Sequence, residues 1–93
     1  MIVGVCKITI HIPNSLTLKD KRSVIRSLKD RLRHKFNVSV AEVENEELWQ
    51  KAALGIACVS NDKEHASEMI TSAINTVKNN PELFITETQI DFL

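Results

Sequence analysis

The segment from Leu18 to Phe36 restricts the fold more than any other part of this chain. Leu18, Ile25, Leu28, Leu32 and Phe36 recur three, four or seven positions apart, a spacing that lines one face of an α-helix. Ser15 or Thr17 offers a side-chain oxygen to a free N–H of the first turn, and Asn37 suits a left-handed stop at the far end. The segment also holds eight of the twelve Lys and Arg residues and only two acids, Asp20 and Asp30. At about 100° per residue, Lys19, Arg22, Arg26, Lys29 and Arg33 fall into one narrow stripe flanking the apolar face. A helix with such a face must lay it on something, so the rest of the chain has to supply a surface to receive it.

Two-residue alternation supplies that surface. Residues 2–12 are long and β-branched, and Pro13 stops them. Ile2, Cys6, Ile8, Ile10 and Ile12 share one side with Gly4, while Val3, Val5, Lys7, Thr9 and His11 take the other. Residues 38–44 and 48–60 read as a hairpin of two more strands around a polar turn at 45–47. In the second of these, Ala52, Leu54, Ile56 and Cys58 form one row, and Trp49, Lys51, Ala53, Gly55, Ala57 and Val59 the other. Ser60, Asn61 and Asp62 are capping residues for a second helix over 62–79, with Ala66, Met69, Ile70, Ala73, Ile74 and Val77 on a single face. In the last strand, 84–93, Phe84, Thr86, Thr88, Ile90 and Phe92 alternate with Ile85, Glu87, Gln89 and Asp91. The order β-α-β-β-α-β predicts an α+β, ferredoxin-like sandwich, with two helices on one face of a four-stranded antiparallel sheet and the other face uncovered. No repeat or linker divides the 93 residues, which are expected to form a single domain, 1–93.

Net charge is zero, so no whole-molecule attraction to nucleic acid or membrane is expected, and any electrostatic role must come from segregation of charge. The first helix carries that segregation. Met1 runs straight into Ile2-Val3-Gly4-Val5 without a basic leader, and no apolar run approaches the ~20 residues that span a bilayer. The expected location is the cytoplasm, with no membrane partner. Cys6 and Cys58 sit in apolar strands, without C-x-x-C spacing, and are expected to be buried thiols.

The chain resembles the YlxP-like family of small bacterial proteins of unknown function. The resemblance runs almost from end to end. It rests on Val3-Gly4, on Leu18-Lys19-Asp20-Lys21-Arg22, and on Leu28-Lys29-Asp30-Arg31-Leu32-Arg33. It is most specific in Phe36-Asn37-Val38-Ser39-Val40-Ala41-Glu42-Val43, followed by Leu48-Trp49-Gln50 and Leu54-Gly55. It implies a ferredoxin-like fold, and it supplies no activity, cofactor or catalytic residue. The family's frequent gene neighbourhood, near translation factors, associates it with RNA or the ribosome.

Four constellations bear on function. The stripe of Lys19, Arg22, Arg26, Lys29 and Arg33 makes a row about 20 Å long. Like charges so placed cost roughly 0.2–0.5 kcal/mol per pair, unless an anion such as an RNA backbone meets them. Alternatively Asp30, Glu64 and Glu68 neutralise the row, leaving an ordinary solvated face. The uncovered sheet face carries Val3, Val5, Ala53, Ala57 and Val59, with Trp49 at the end of the row. It lacks the central aromatic rings on which RNA-recognition sheets stack bases, and suggests instead a homodimer or another protein contact. The acidic hairpin, Glu42, Glu44, Glu46 and Glu47, has no metal-ligand spacing: Glu42 and Glu44 share a strand face and the other two sit in the turn. Finally, His11, His34 and His65 lie on three different elements and no nucleophile motif is present. Acylphosphatases share this topology, but Pro13-Asn14-Ser15-Leu16-Thr17 lacks their phosphate-holding glycine, although Arg22 follows. Ser39 and Glu42 receive no reaction. The sequence thus favours a binding protein, not an enzyme, with no cofactor and no metal.

Overall fold

The β-branched run at the start of the chain becomes the central strand of the sheet. β1 (Ile2–His11) pairs antiparallel with β3 (Lys51–Ser60) on one side and with β4 (Phe84–Phe92) on the other; β2 (Ser39–Glu44) flanks β3, giving the order β2-β3-β1-β4. The computed structural model describes all residues, 1–93. Two helices, α1 (Leu18–Lys35) and α2 (Lys63–Lys78), complete the β-α-β-β-α-β sandwich read from the sequence.

The two helices are stopped and started by local chemistry. Thr17 is the N-cap of α1: its hydroxyl accepts from the Asp20 N–H at 3.1 Å, and the Asp20 carboxylate accepts from the Leu16 N–H at 3.0 Å. The first bond satisfies a donor that a helix start leaves open, and the second fastens the residue before the cap to the first turn. Ser15 is buried and donates to the Thr17 carbonyl instead. Asn37 makes no left-handed stop; Phe36 ends the helix in extended conformation, its N–H still bonded to the Leu32 carbonyl. Asp62 caps α2 by accepting from the Glu64 N–H.

The core forms where the helices meet the sheet. Cys6, Ile8, Ile10 and Ile12 pack with Ala52, Leu54, Ile56 and Cys58, beneath Ile25, Leu28 and Leu32 of α1 and Ala66, Ile70, Ala73 and Val77 of α2. Each fully buried Leu, Ile or Val contributes about 1.5–3 kcal/mol. Burial pushes the Cys6 thiol up to about 11, so it stays protonated and unreactive inside this core.

Two β-bulges alter the alternation expected from the sequence. In β2, Glu42 pairs with Leu54 but Glu44 pairs with Ala53, leaving Val43 as the extra residue. Glu42 therefore points with Val40 toward the helices, and Glu44 falls on the uncovered face; the two carboxylates do not share a side. In β4 the register shifts opposite Thr9 and Ile10, with Thr86 as the extra residue. Ile85 thereby joins Thr88, Ile90 and Phe92 on the helix side, while Phe84 lies across from His11 on the other face, their rings edge to face at 5.0 Å. A third difference concerns β3, which begins at Lys51. Leu48, Trp49 and Gln50 belong to the connecting loop, so Trp49 does not extend the apolar row of the sheet.

Candidate functional site: the outer flank of α1 and the β2–β3 tip

The five cations of the stripe lie on the outer flank of α1, since the opposite flank is committed to the core. Lys19, Arg22, Arg26 and Arg33 are exposed and Lys29 is half-buried. None of them lies within ion-pair distance of a carboxylate; the two ion pairs of the chain are Lys7–Glu44 and Lys21–Glu42. Asp30, Glu64 and Glu68 thus do not neutralise the row. Arg33 is the one member with a protein partner, donating from Nη2 to the Val40 carbonyl at 2.7 Å. That bond ties α1 to β2 and leaves the remaining guanidinium N–H groups free to meet another acceptor. The row therefore runs about 20 Å along one helix without an ion pair among its members.

The uncovered face of the sheet divides in two. Toward the chain termini, Val3 pairs with Val59 and exchanges both backbone bonds with Leu93, and Val5 pairs with Ala57. Val59 and Leu93 are exposed, and Val3, Val5 and Ala57 half-buried, which leaves a small apolar patch. Toward the other end Ala53 is fully buried, between Thr9 and Glu44 in the register, and offers nothing to a partner. The Lys7–Glu44 pair lies across the middle. Gly55 sits beneath Val43, and a Cβ added there would come 2.9 Å from Val43 Cγ1.

The residue that sequence reasoning missed is Lys21. At about 100° per residue it lies in the middle of the apolar face of α1, four positions before Ile25, and it is completely buried. Its ammonium donates to Glu42 Oε2 at 3.0 Å, to the Asn45 carbonyl at 2.8 Å and to the Glu46 carbonyl at 3.0 Å, with the Lys51 carbonyl farther off at 3.4 Å. Three donors thus meet three close acceptors, and no buried side-chain nitrogen or oxygen of the chain is left without a partner. Glu42 faces inward by the regular alternation it shares with Val40, and the bulge after it turns Glu44 to the other face, so that Glu42 alone of the two meets Lys21. Asn45, the one non-glycine residue with positive φ (63°), turns the chain so that two successive carbonyls face the ammonium. A signal was present in the sequence, since Lys21, Ile25, Leu28 and Leu32 follow helical spacing, but a lysine within a basic segment reads as one more surface charge.

Glu42 accordingly has a structural partner, whereas Ser39 is exposed opposite Ala57 and nothing in the structure assigns it a role. No three His, Cys, Asp or Glu side chains converge in metal-ligand geometry. No helix is long and apolar enough to cross a membrane.

Residues 3–90, which take in α1, the lysine latch and the hairpin tip, match the family described as "Protein of unknown function (DUF503)". The chain belongs to this family. It is also similar to the "Uncharacterized protein YlxP" of Bacillus subtilis (strain 168), with 30% identity over 76 residues, which cover 82% of this chain and 83% of that protein. The YlxP-like resemblance seen in the sequence therefore holds over most of the fold, and neither description carries an activity.

Proposed function

We propose that this protein binds structured RNA, alone or within the ribosome, through the outer flank of α1. Lys19, Arg22, Arg26, Lys29 and Arg33 contact successive phosphates, and the protein acts by binding, with no bond-making step, in the cytoplasm. The observation that supports this reading is the uncompensated row. Five cations stand along one helix flank without an ion pair among them, in a chain whose net charge is zero. Such a row fits a phosphate backbone, and contacts of that kind position a nucleic acid without reading its sequence. The scarcity of aromatic residues, three Phe and one Trp with no Tyr, fits a duplex better than stacked single-stranded bases.

Five phosphate contacts make affinity fall with a log–log slope of about −4.5, roughly 500-fold between 50 and 200 mM salt. Fluorescence anisotropy with a labelled RNA hairpin measures this. Arg22→Glu with Arg26→Glu should flatten the slope by about two and abolish binding at moderate salt. Wild-type binding that ignores salt, or that survives the double substitution, would refute the proposal.

A second reading rests on the exposed Val59 and Leu93 beside Val3, Val5 and Ala57: two copies meet through this end of the sheet as a homodimer. Sedimentation showing a dimer that Val59→Lys dissociates supports it, and a monomer at every concentration removes it.

A further inference from the structure

The tip of the β2–β3 hairpin combines features that ordinary loops do not. Loop tips are usually mobile and polar. This one is fastened at three points. Lys21 holds the Asn45 and Glu46 carbonyls. The Gln50 side-chain amide donates to the Ser15 carbonyl at 3.0 Å and to the Pro13 carbonyl at 3.3 Å. The Gln50 carbonyl accepts from the Ile12 N–H at 2.8 Å. The hairpin tip and the β1–α1 connection are therefore tied together at one end of the sandwich.

What that end displays is apolar. Leu48 is 49% exposed, Trp49 54% and Leu16 74%. Leu16 and Trp49 each adjoin a residue joined by the Gln50 bridge, and Glu47, Leu48, Trp49, Gln50 and Lys51 line a shallow depression. Beside these side chains stand Glu46 and Glu47, both exposed and neither in an ion pair, against one exposed and unpaired cation, Lys51, so that the surface carries an excess of negative charge. The arrangement is an aromatic anchor, an aliphatic neighbour in Leu48 and two free carboxylates on a loop whose backbone is tied to α1 and to the β1–α1 connection. Tethered anchors lower the entropy cost of association, and Trp is among the residues enriched at the energetic centre of interfaces.

We propose that this end of the molecule docks a positively charged apolar segment of another protein. A leucine-like side chain of the partner fills the space beside Trp49 and Leu48, and its lysines or arginines meet Glu46 and Glu47, with one cation over the indole face. Charge complementarity selects this partner over a nucleic acid, which the two carboxylates would repel. The site is separate from the stripe on α1, so it stands or falls independently of RNA binding.

Trp49 is the only tryptophan of the chain, and its emission reports on the tip directly. The probe is an amphipathic Leu–Lys peptide, with the charge-inverted Leu–Glu peptide as its counterpart. The Leu–Lys peptide is expected to shift Trp49 emission to shorter wavelength, saturably, with affinity lowered at least tenfold by Glu46→Gln with Glu47→Gln and unaffected by Arg22→Glu with Arg26→Glu. No saturable shift up to about 1 mM peptide, where binding free energy is only about −4 kcal/mol, overturns the proposal. So does an equal response to both peptides. An emission change on raising the protein concentration alone, with a dimer in sedimentation, assigns the surface to a second copy and also overturns it.

Discussion

Replacing Lys21 by Met is the sharpest test of how the two faces of this molecule are joined. The substitution keeps an unbranched chain of similar length in the core and deletes the ammonium. Three short hydrogen bonds disappear, to Glu42 Oε2 and to the carbonyls of Asn45 and Glu46. Removing one partner of a buried ion pair costs about 3–5 kcal/mol, and a carbonyl left without a donor adds about 1–3 kcal/mol only where water does not replace the ammonium; the carbonyls of Asn45 and Glu46 are part-buried. Relief comes from solvent, because the Glu42 side chain remains 18% exposed and water reaches its freed carboxylate. The lower end of the range therefore applies, about 3 kcal/mol out of the roughly 5–14 kcal/mol expected for a domain this size. At about 4–8 °C per kcal/mol, Tm falls by roughly 12–24 °C. Urea unfolding followed by circular dichroism measures the loss, and Trp49 emission reports whether the tip has come loose. Adding Glu42→Gln to the substitution removes the stranded charge and should recover about 1 kcal/mol, since the freed carbonyls remain. A loss below about 1 kcal/mol with unchanged Trp49 emission would show that the latch does not hold the hairpin.

Two further substitutions probe the sheet. Gly55→Ala places a Cβ 2.9 Å from Val43 Cγ1; valine has few rotamers with which to give way, so stability should fall by about 1–3 kcal/mol, and Val43→Ala should restore most of it in urea titrations. The Cys6 thiol titrates near 11 when folded against 9.0 when free. The folded chain keeps its proton across that window, so this contribution is intact below pH 9 and is lost as pH rises toward 11. The difference in stability between pH 8 and pH 11 should be on the order of 2–3 kcal/mol larger in the wild type than in Cys6→Ala.

The elements were legible because each strand and helix repeats its own period long enough to be unmistakable. Ile8-Ile10-Ile12 and Ile25-Leu28-Leu32 admit few other foldings, and all of them are buried where their spacing puts them. The exposure of Lys19, Arg22, Arg26 and Arg33 was legible too, since their stripe lies off the apolar face, with Lys29 half-buried at its edge. What failed was whatever depended on one residue breaking a period. Val43 and Thr86 each add a residue to an edge strand, which reverses the facing of Glu44, Ile85 and Phe84. Strict alternation cannot anticipate that. Trp49 was drawn into a strand because Leu48-Trp49 resembles one, whereas the Gln50 bridges hold it in the loop. Lys21 was hidden by its company. Its burial depends on three acceptors more than twenty positions away in the chain, and no local pattern displays them.

The two bulges have one more consequence. They fall on β2 and β4, the strands whose outer backbone edges have no neighbour in the sheet. A flat, regular edge is a template onto which another chain can add a strand and begin a fibril. An inserted residue kinks the strand and breaks its evenly spaced row of donors and acceptors. Both rims of this sheet are roughened in that way, so the protein is built against lateral polymerisation, and a chain shortened by deleting Val43 or Thr86 should be the more prone to form amyloid.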